Sequence, residues 1–537
     1  MRMVSKQDLK NILGQIPLTA EAYWYLRQPG KPVTPEFTLD KLEGSISEWC
    51  TQAKDSEPYR SSIRSLSSSE NKRIFIFATL RYWLEHASLL GIALAGLGHS
   101  VTISYLPYAR WQQPIDAFNL RRQNIYAEGV LSKASPLLKV VPLLNQSKAS
   151  HLPTELHQSV DLVSLRDTQY TLQVEDVSLD SDLYQLRFQR NHAAAWAAFS
   201  YLKRHRPDVI ILPNGTILEF GIIYQVARYL SIPVVTYEFG EQRDRIWLAQ
   251  NAEVMRQETS ELWQARQNQP LNHEQLIQVR RLFSSRQRAS LWENFGRRWQ
   301  GVPSEGGAQV RQTLGLDGRP IVLLATNVIG DSLTLGRQVF SDSMTEWLER
   351  TVQYFSARPE VQLVARIHPG ELVTKGPSVA DVVHKVLPSI PENIHLVPAN
   401  AKVNTYDIVE IADLGLVYTT TVGMEMTMSG VPVIVVGNTH YRGKGFTLDP
   451  ESWEAYFELL TTSLADLSLI RLSQGQVEQA WNYAYRFFFE YPQPFPWHLV
   501  HFWKDLETWP LSRLLSEDGL SIYHKTFKYL AGEPIHW

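Results

Sequence analysis

Leu414-Gly-Leu-Val-Tyr-Thr-Thr-Thr-Val-Gly-Met-Glu-Met-Thr-Met-Ser-Gly-Val-Pro-Val-Ile-Val-Val436 reads as a strand, a hydroxyl-rich turn, a short helix and a second strand. Residues 414–418 and 431–436 are apolar runs of strand length, and 423–428 form the helix between them. Thr419, Thr420 and Thr421 mark the turn where the first strand gives way to the helix. Parallel strands need such a crossover, and crossovers are right-handed, so repetition of this unit builds a parallel sheet covered by helices on both faces.

The same alternation runs upstream. Residues 321–325 and 361–367 are apolar strands, 342–355 has apolar residues at helical spacing, and 405–412 is a short helix leading into residue 414. An earlier series has strands at 73–78, 101–105, 208–213 and 233–237, with helices at 85–97, 183–205 and 222–230. Between its two parts, residues 110–180 read as a helix over 114–126 and weakly alternating strands at 137–143 and 170–174. Two such series predict an α/β protein of two Rossmann-like lobes facing a central cleft, with helical N- and C-terminal extensions.

At 537 residues the chain exceeds what one hydrophobic core usually organises. The expected parts are a helical extension over 1–70 that closes in the serine-rich tract 61–71, a first lobe over 71–310, a second over 316–470, and aromatic-rich helices over 471–537 packing back on the first lobe. Residues 251–315 are polar and helical, and the proline and glycines of 301–307 place the lobe boundary near 300–318.

Composition narrows the function classes. Lys and Arg total 52 against 55 Asp and Glu, which gives no general basic field for nucleic acid. A single cysteine, Cys50, excludes an intramolecular disulfide and a CxxC metal site, and fits a reducing compartment. Residues 1–18 mix Arg2, Lys6, Asp8 and Lys10 with apolar residues, so no export signal is expected there. The apolar runs are too short to span a bilayer. A cytoplasmic location is expected. The aromatic run 481–503 demands burial; packing on the first lobe is the favoured role, and peripheral contact with the inner face of the cytoplasmic membrane is the alternative.

Open parallel sheets bind ligands beyond the carboxyl ends of their strands. In the second lobe those positions hold Thr326, Asn327, Gly330, Asp331 and Ser332; Arg366 and His368-Pro-Gly-Glu371; Thr419 to Gly423; and Gly437 through Tyr441. The threonine turn opens a helix, whose dipole and unpaired N–H groups suit a phosphate, although for a lone threonine simple helix capping is the preferred reading. Glu425 in the same helix either complements the dipole or accepts from ribose hydroxyls. His368 is held extended by the proline after it, and no second His or Cys stands at metal-ligand spacing beside it. The loop His440-Tyr-Arg-Gly-Lys-Gly-Phe-Thr447 brings Tyr441, Arg442 and Lys444 to the same edge, suited to phosphate or a carboxylated sugar, with a solvated loop as the bland alternative.

These residues resemble the bacterial capsule-polysaccharide biosynthesis family, which includes Kdo transferases. The carriers are Arg366-Ile-His-Pro-Gly-Glu371, Val403-Asn-Thr-Tyr406 with Ala412-Asp413, Thr419-Thr-Thr-Val-Gly-Met-Glu425, and Gly437 with the 440–447 loop. The match covers about residues 320–455 well and the first lobe loosely. A His-Pro turn paired with a later Ser/Thr cluster is also similar to bacterial sialyltransferases and polyglycerol-phosphate polymerases, which use cytidine nucleotides. The resemblance implies the two-lobed GT-B fold, with His368 at the donor phosphate or nucleotide, Thr420 and Thr421 on phosphate and Glu425 on ribose. Asn327, Arg366, Thr419, Gly423, Tyr441, Arg442 and Lys444 complete the expected donor set. The sialyltransferase Asp/Glu-Asp/Glu-Gly motif has no equivalent; Glu238-Phe-Gly-Glu241 follows a predicted strand instead, making Glu238 and Glu241 base candidates, with Glu85, His86, Asn214 and Glu219 on the acceptor side.

The function expected from this set is transfer of a sugar from a nucleotide donor, a CMP-linked acidic sugar such as Kdo, to a surface polysaccharide or glycolipid. Preorganised donors would stabilise the leaving phosphate and a first-lobe carboxylate would take the acceptor proton, so no metal or other cofactor is required. Two rivals share the pattern: a nucleotide-sugar 2-epimerase, which needs no acceptor, and a non-catalytic polysaccharide-assembly protein, which binds no donor.

Overall fold

The computed structural model describes residues 6–64, 71–146, 151–291, 293, 295 and 301–537. The chain forms two compact α/β units, each a sheet flanked by helices. The first comprises residues 1–168, 178–255 and 493–536; the second, 169–177 and 256–492 with residue 537. The strands are β1 (Arg73–Thr79), β2 (Ser100–Leu106), β3 (Leu138–Pro142), β4 (Val209–Pro213), β5 (Val234–Glu238), β6 (Arg245–Gln250), β7 (Ile321–Ala325), β8 (Gln362–Arg366), β9 (Ile394–Val397), β10 (Leu414–Val417), β11 (Val433–Val435) and β12 (Gln493–Pro494).

The first unit opens with α1 (Lys6–Gln15), α2 (Thr19–Arg27), α3 (Asp40–Asp55) and α4 (Glu57–Arg64). Its later helices are α5 (Arg81–Gly96), α6 (Ala117–Leu131), α7 (Thr154–Leu172), α8 (Asp182–Arg204) and α9 (Leu218–Tyr229). The sheet runs β12-β6-β5-β4-β1-β2-β3, parallel from β5 to β3, with β6 and β12 antiparallel at one edge. Strand β1 buries all but its first residue, as a central strand of a two-faced sheet must. Helices α6 and α8 begin at Asp116 and Ser181, whose side chains accept from the N–H three residues on.

The second unit contains α10 (Ser260–Arg266), α11 (His273–Gln287), α12 (Gly307–Thr313), α13 (Met344–Ser356), α14 (Val379–Val386), α15 (Thr405–Val409), α16 (Val422–Met428), α17 (Trp453–Ala465) and α18 (Gln474–Tyr485). Its all-parallel sheet runs β11-β10-β7-β8-β9, and β7, β8, β10 and β11 are buried throughout. Asn272, Ser378 and Ser473 form reciprocal capping boxes at α11, α14 and α18. The Glu175 carboxylate accepts from Met344 and Thr345 N–H at 2.8 and 2.9 Å, so an early segment of the chain caps α13.

In both units the strand that comes first in the sequence lies inside the sheet, so connections leave it in opposite directions. This creates a switch point between β1 and β4 in one sheet and between β7 and β10 in the other, where α/β sheets hold ligands.

Several expectations need correction. Residues 170–174 are not a strand: 170–172 finish the helix α7, whose length outweighs the short β-like alternation. Residues 256–310 cluster with the second unit, not the first, because Asn404 donates to the carbonyls of Gln287 and Val302, and Asn482 donates to those of Gln267 and Gln269. The N-terminal extension, over its described residues 6–64, joins the first unit's core through Leu42, Ile46 and Trp49 of α3, and most of the expected serine-rich connector 61–71 lies outside the described residues. The C-terminal segment divides at 492/493: Phe495, Trp497, Phe502 and Phe527 enter the first core, while Tyr483, Phe487 and Tyr491 are buried in the second unit. Helices α19 (Phe502–Thr508), α20 (Leu511–Leu514) and α21 (Glu517–Leu530) complete the first unit.

Candidate functional site

At the β7/β10 switch point a chain of hydrogen bonds ties three strand ends together. The Asn327 side-chain oxygen accepts from Thr419 N–H at 3.1 Å and from its hydroxyl at 3.2 Å, and that hydroxyl also lies 2.8 Å from the Leu333 carbonyl. Next to Asn327, the Thr326 hydroxyl accepts from His368 N–H at 3.1 Å. The ends of β10, β7 and β8 are thereby fixed by side chains rather than by the ladder. Thr420 holds its carbonyl toward the Tyr441 hydroxyl. Thr421, half-buried, is in the first-turn conformation and makes no side-chain capping bond. Two threonines of the turn therefore have structural bonds, and the hydroxyl of the third is not spent on the helix end.

His368 has a defined tautomer. Its Nδ1 accepts from Gly370 N–H at 2.9 Å, which places the ring proton on Nε2. Burial, with Arg366 next to it, lowers its pKa from 6.5 to about 4, so the ring is a neutral N–H donor at physiological pH. Gly370 permits this bond, since a Cβ there would lie 2.7 Å from Nδ1. Beside this turn is a cavity of about 290 Å³ lined by Arg366, Pro369, Leu372, Asn400, Asn404 and Thr405, among others. Arg366 donates to the carbonyls of Pro398 and Val403 and to the Thr405 hydroxyl, and burial lowers its pKa to about 10. Glu371, reached by Val379 N–H at 3.1 Å, is pushed up to about 7 by burial.

The remaining donor candidates are placed differently from one another. Glu425 is buried and paired with Arg286 of α11 at 2.6 Å, and the guanidinium lies over the Phe488 ring at 4.8 Å. Gly423 is where Tyr441 crosses the helix: a Cβ would lie 2.3 Å from the tyrosine oxygen. Tyr441, fully buried, thus holds the threonine turn from behind and is not a contact residue. Arg442 donates to the carbonyls of Val435 and Pro450, and Lys444 to the Ser260 hydroxyl at 2.9 Å. Both expected phosphate cations, each partly exposed, are tied to protein groups. Arg286 carried no signal in the sequence; its partner lies far away along the chain.

In the first unit, Asn214 and Glu238 meet at the ends of β4 and β5. Asn214 Nδ2 donates to Glu238 at 3.3 Å, and Phe239 N–H donates to the same carboxylate at 3.0 Å. Burial raises the Glu238 pKa against those bonds, while its side chain remains half-exposed. Three non-glycine residues around the switch point have positive φ: Leu80 at 64°, Asn214 at 56° and Leu218 at 55°. Leu80 combines its φ with ψ 147°, a region that side chains disfavour strongly, and strain of this kind collects at working sites. Glu241 is exposed.

Three acceptor-side expectations are corrected by burial. His86 is enclosed by Tyr237, Phe239, Phe495 and Phe502, bonds the Trp497 carbonyl and has a pKa lowered to about 4. Glu219 lies in a buried cluster with Arg187, 3.0 Å away, which also pairs with Asp167. Glu85 is buried near Arg81 and Trp503. None of the three presents a surface to an acceptor.

Among the described residues no group of three or more His, Cys, Asp and Glu side chains is arranged to hold a metal ion, and no helix is long and apolar enough to cross a membrane.

No family model matches the chain, and no curated protein matches it. Among solved structures, it is similar to the KpsC beta Kdo 2,7 transferase of Thermosulfurimonas dismutans, at 15% identity over 53% of this chain and 79% of that one, with a TM-score of 0.31. It is also similar to the UDP-GlcNAc 2-epimerase of Neisseria meningitidis bound to UDP-GlcNAc, at 13% identity, 78% and 99% coverage and a TM-score of 0.25. A glycosyltransferase of Rickettsia africae gives 9% identity, 86% and 100% coverage and a TM-score of 0.28. Likenesses at this level assign no residue and no activity.

Proposed function

We propose that this chain is a GT-B-type glycosyltransferase whose second unit binds a nucleotide-activated sugar and whose first unit supplies the acceptor-side carboxylate. The observation that supports this most is the bonded series Thr419, Asn327, Thr326 and His368, which aligns the threonine turn and a neutral histidine N–H at one switch point. Hydroxyl and imidazole donors of that kind suit a phosphate leaving group. The cavity lined by Arg366 and Asn404 next to them is assigned to the nucleoside.

In the reaction, the acceptor oxygen forms a bond to the anomeric carbon as the bond to the donor phosphate breaks. The acceptor proton passes to Glu238, whose raised pKa suits a base of moderate strength. Charge gathering on the departing phosphate is met by the Thr421 hydroxyl, the N–H groups of the threonine turn and His368 Nε2–H, so the scheme invokes no metal. The donor we assign is a CMP-linked acidic sugar such as Kdo, and the acceptor a hydroxyl of a surface polysaccharide or glycolipid.

Thermal shift with CMP, CDP, UDP and GDP tests the donor reading, since a ligand of the native state raises its stability. Cytidine nucleotides are expected to give the largest shift; a response to UDP alone refutes the cytidine assignment. Incubating the sugar nucleotide with and without glycan then separates transfer from epimerisation, because only an epimerase converts the donor sugar to its epimer without an acceptor.

A further inference from the structure

The first unit has an apolar surface that does not belong to its core. Helices α1 and α2 form a hairpin whose inner side, at Gly14, Ala20 and Trp24, is buried, while Ile12, Leu18, Tyr25 and Leu26 are 53, 72, 65 and 79% exposed. Ile16 and Pro17 extend this surface across the connection. The hairpin is held firmly from α6. Arg121 donates to the carbonyls of Gly14 and Ile16 at 3.1 and 2.9 Å and pairs with Glu21, and Gly14 packs so closely that a Cβ would lie 2.7 Å from Phe118 N. Leu18 adopts φ 65° at the start of α2, an unfavourable backbone for leucine that leaves its side chain outside.

Charge selects the occupant of this surface. Residues 1–31 contain five Lys and Arg against two Asp and Glu, in a chain whose formal charge is −3. Glu21, one of the two acids, is neutralised by Arg121, while Arg27 and Lys31 flank the apolar surface in solvent. Exposed leucines and tyrosines bordered by cations are the chemistry of an anionic bilayer interface. We propose that the α1–α2 hairpin docks the protein on a membrane surface bearing anionic headgroups, with Leu18 and Leu26 entering the acyl boundary and Arg27 and Lys31 meeting the headgroups. The aromatic run 481–503 does not share this role, because most of its rings are in the two cores. The proposal is independent of the nucleotide reading.

Co-sedimentation of the full chain with phosphatidylcholine vesicles containing phosphatidylglycerol, against phosphatidylcholine alone, tests it. The wild type should pellet with the anionic vesicles and be released by high salt. Leu18→Glu with Leu26→Glu should weaken binding by about tenfold or more, since each fully buried leucine is worth at least that factor. Arg27→Gln with Lys31→Gln should abolish the preference for phosphatidylglycerol. All four side chains are exposed, and unchanged circular dichroism and melting curves would verify folding. Failure of the wild type to bind anionic vesicles, or equal binding by the double glutamate variant, overturns the proposal. So does a wild-type dimer, in the absence of vesicle binding, that the glutamate variant turns into monomer: the surface then faces a second copy.

Discussion

Thr421→Val and Thr419→Val should produce opposite results, and the contrast tests the donor site. At Thr421 the side chain makes no capping bond, with φ −60° and ψ −18° already helical. Valine there preserves shape and removes only the hydroxyl, so apo stability should change by no more than about 0.5 kcal/mol. If that hydroxyl meets a phosphate, the lost charge-assisted bond is worth about 1.5 to 3 kcal/mol, which weakens nucleotide binding by roughly ten- to one-hundred-fold. At Thr419 the hydroxyl lies 2.8 Å from the Leu333 carbonyl and 3.2 Å from Asn327, both within the protein. Its loss leaves buried acceptors short of a donor and should destabilise the apo protein by about 1 to 3 kcal/mol. Calorimetric titration of CMP into each variant, beside denaturant unfolding of the apo proteins, provides both quantities. Wild-type affinity in a folded Thr421→Val protein would refute the placement of phosphate at this turn, whatever Thr419 does.

Glu238→Gln should reduce glycan transfer strongly and leave nucleotide affinity unchanged; in wild type the acidic limb of the kcat/KM profile should lie above the ordinary carboxylate range, because burial raises this pKa, and it should vanish in the variant. Arg286→Met should cost about 3 to 5 kcal/mol by stripping the buried Glu425 of its guanidinium, and adding Glu425→Gln should recover part of the loss, as unfolding curves of the single and double variants will show. His368 should remain neutral, protonated on Nε2, at pH 5.5 in nitrogen-edited NMR spectra. Its folded pKa of about 4 lies below the unfolded 6.5, so the unfolded chain takes up the proton first. The resulting stability is complete above pH 6.5 and declines as pH falls toward 4, and His368→Asn should show a shallower decline over that window.

The strands of both sheets were legible because buried parallel strands are continuous apolar runs: β7 coincides with the expected residues 321–325, and β1, β4, β5, β8, β10 and β11 fall within about two residues of theirs. Several elements of the second unit escaped, β9 and α14 among them. Strand β9 mixes His395 with apolar residues at the sheet edge, and α14 is a short helix declared mainly by its Ser378–Asp381 cap. The antiparallel β6 escaped as well, since only Ile246 and Leu248 of it are buried and it lacks the long continuous apolar run of the central parallel strands. Strand-end chemistry could be named from order alone, so Asn327, His368 and the threonine turn were found together. Commitment could not: whether Arg442 reaches a ligand or a backbone carbonyl, or whether Glu425 meets ribose or Arg286, depends on contacts that spacing does not encode.

The division of the chain has a consequence for its synthesis. Strand β6 is made early, yet its outer partner β12 emerges about 240 residues later, which at 5–20 residues per second is a delay of roughly 12 to 50 seconds. Through that interval the Arg245–Ile246 end of β6, which β12 later covers, is an open stretch of sheet edge onto which an extended segment can add. The second unit lies entirely within that interval, apart from residues 169–177 and 537. A nascent chain stalled between residues 256 and 492 should therefore be the most aggregation-prone form of this protein and the one most dependent on a chaperone.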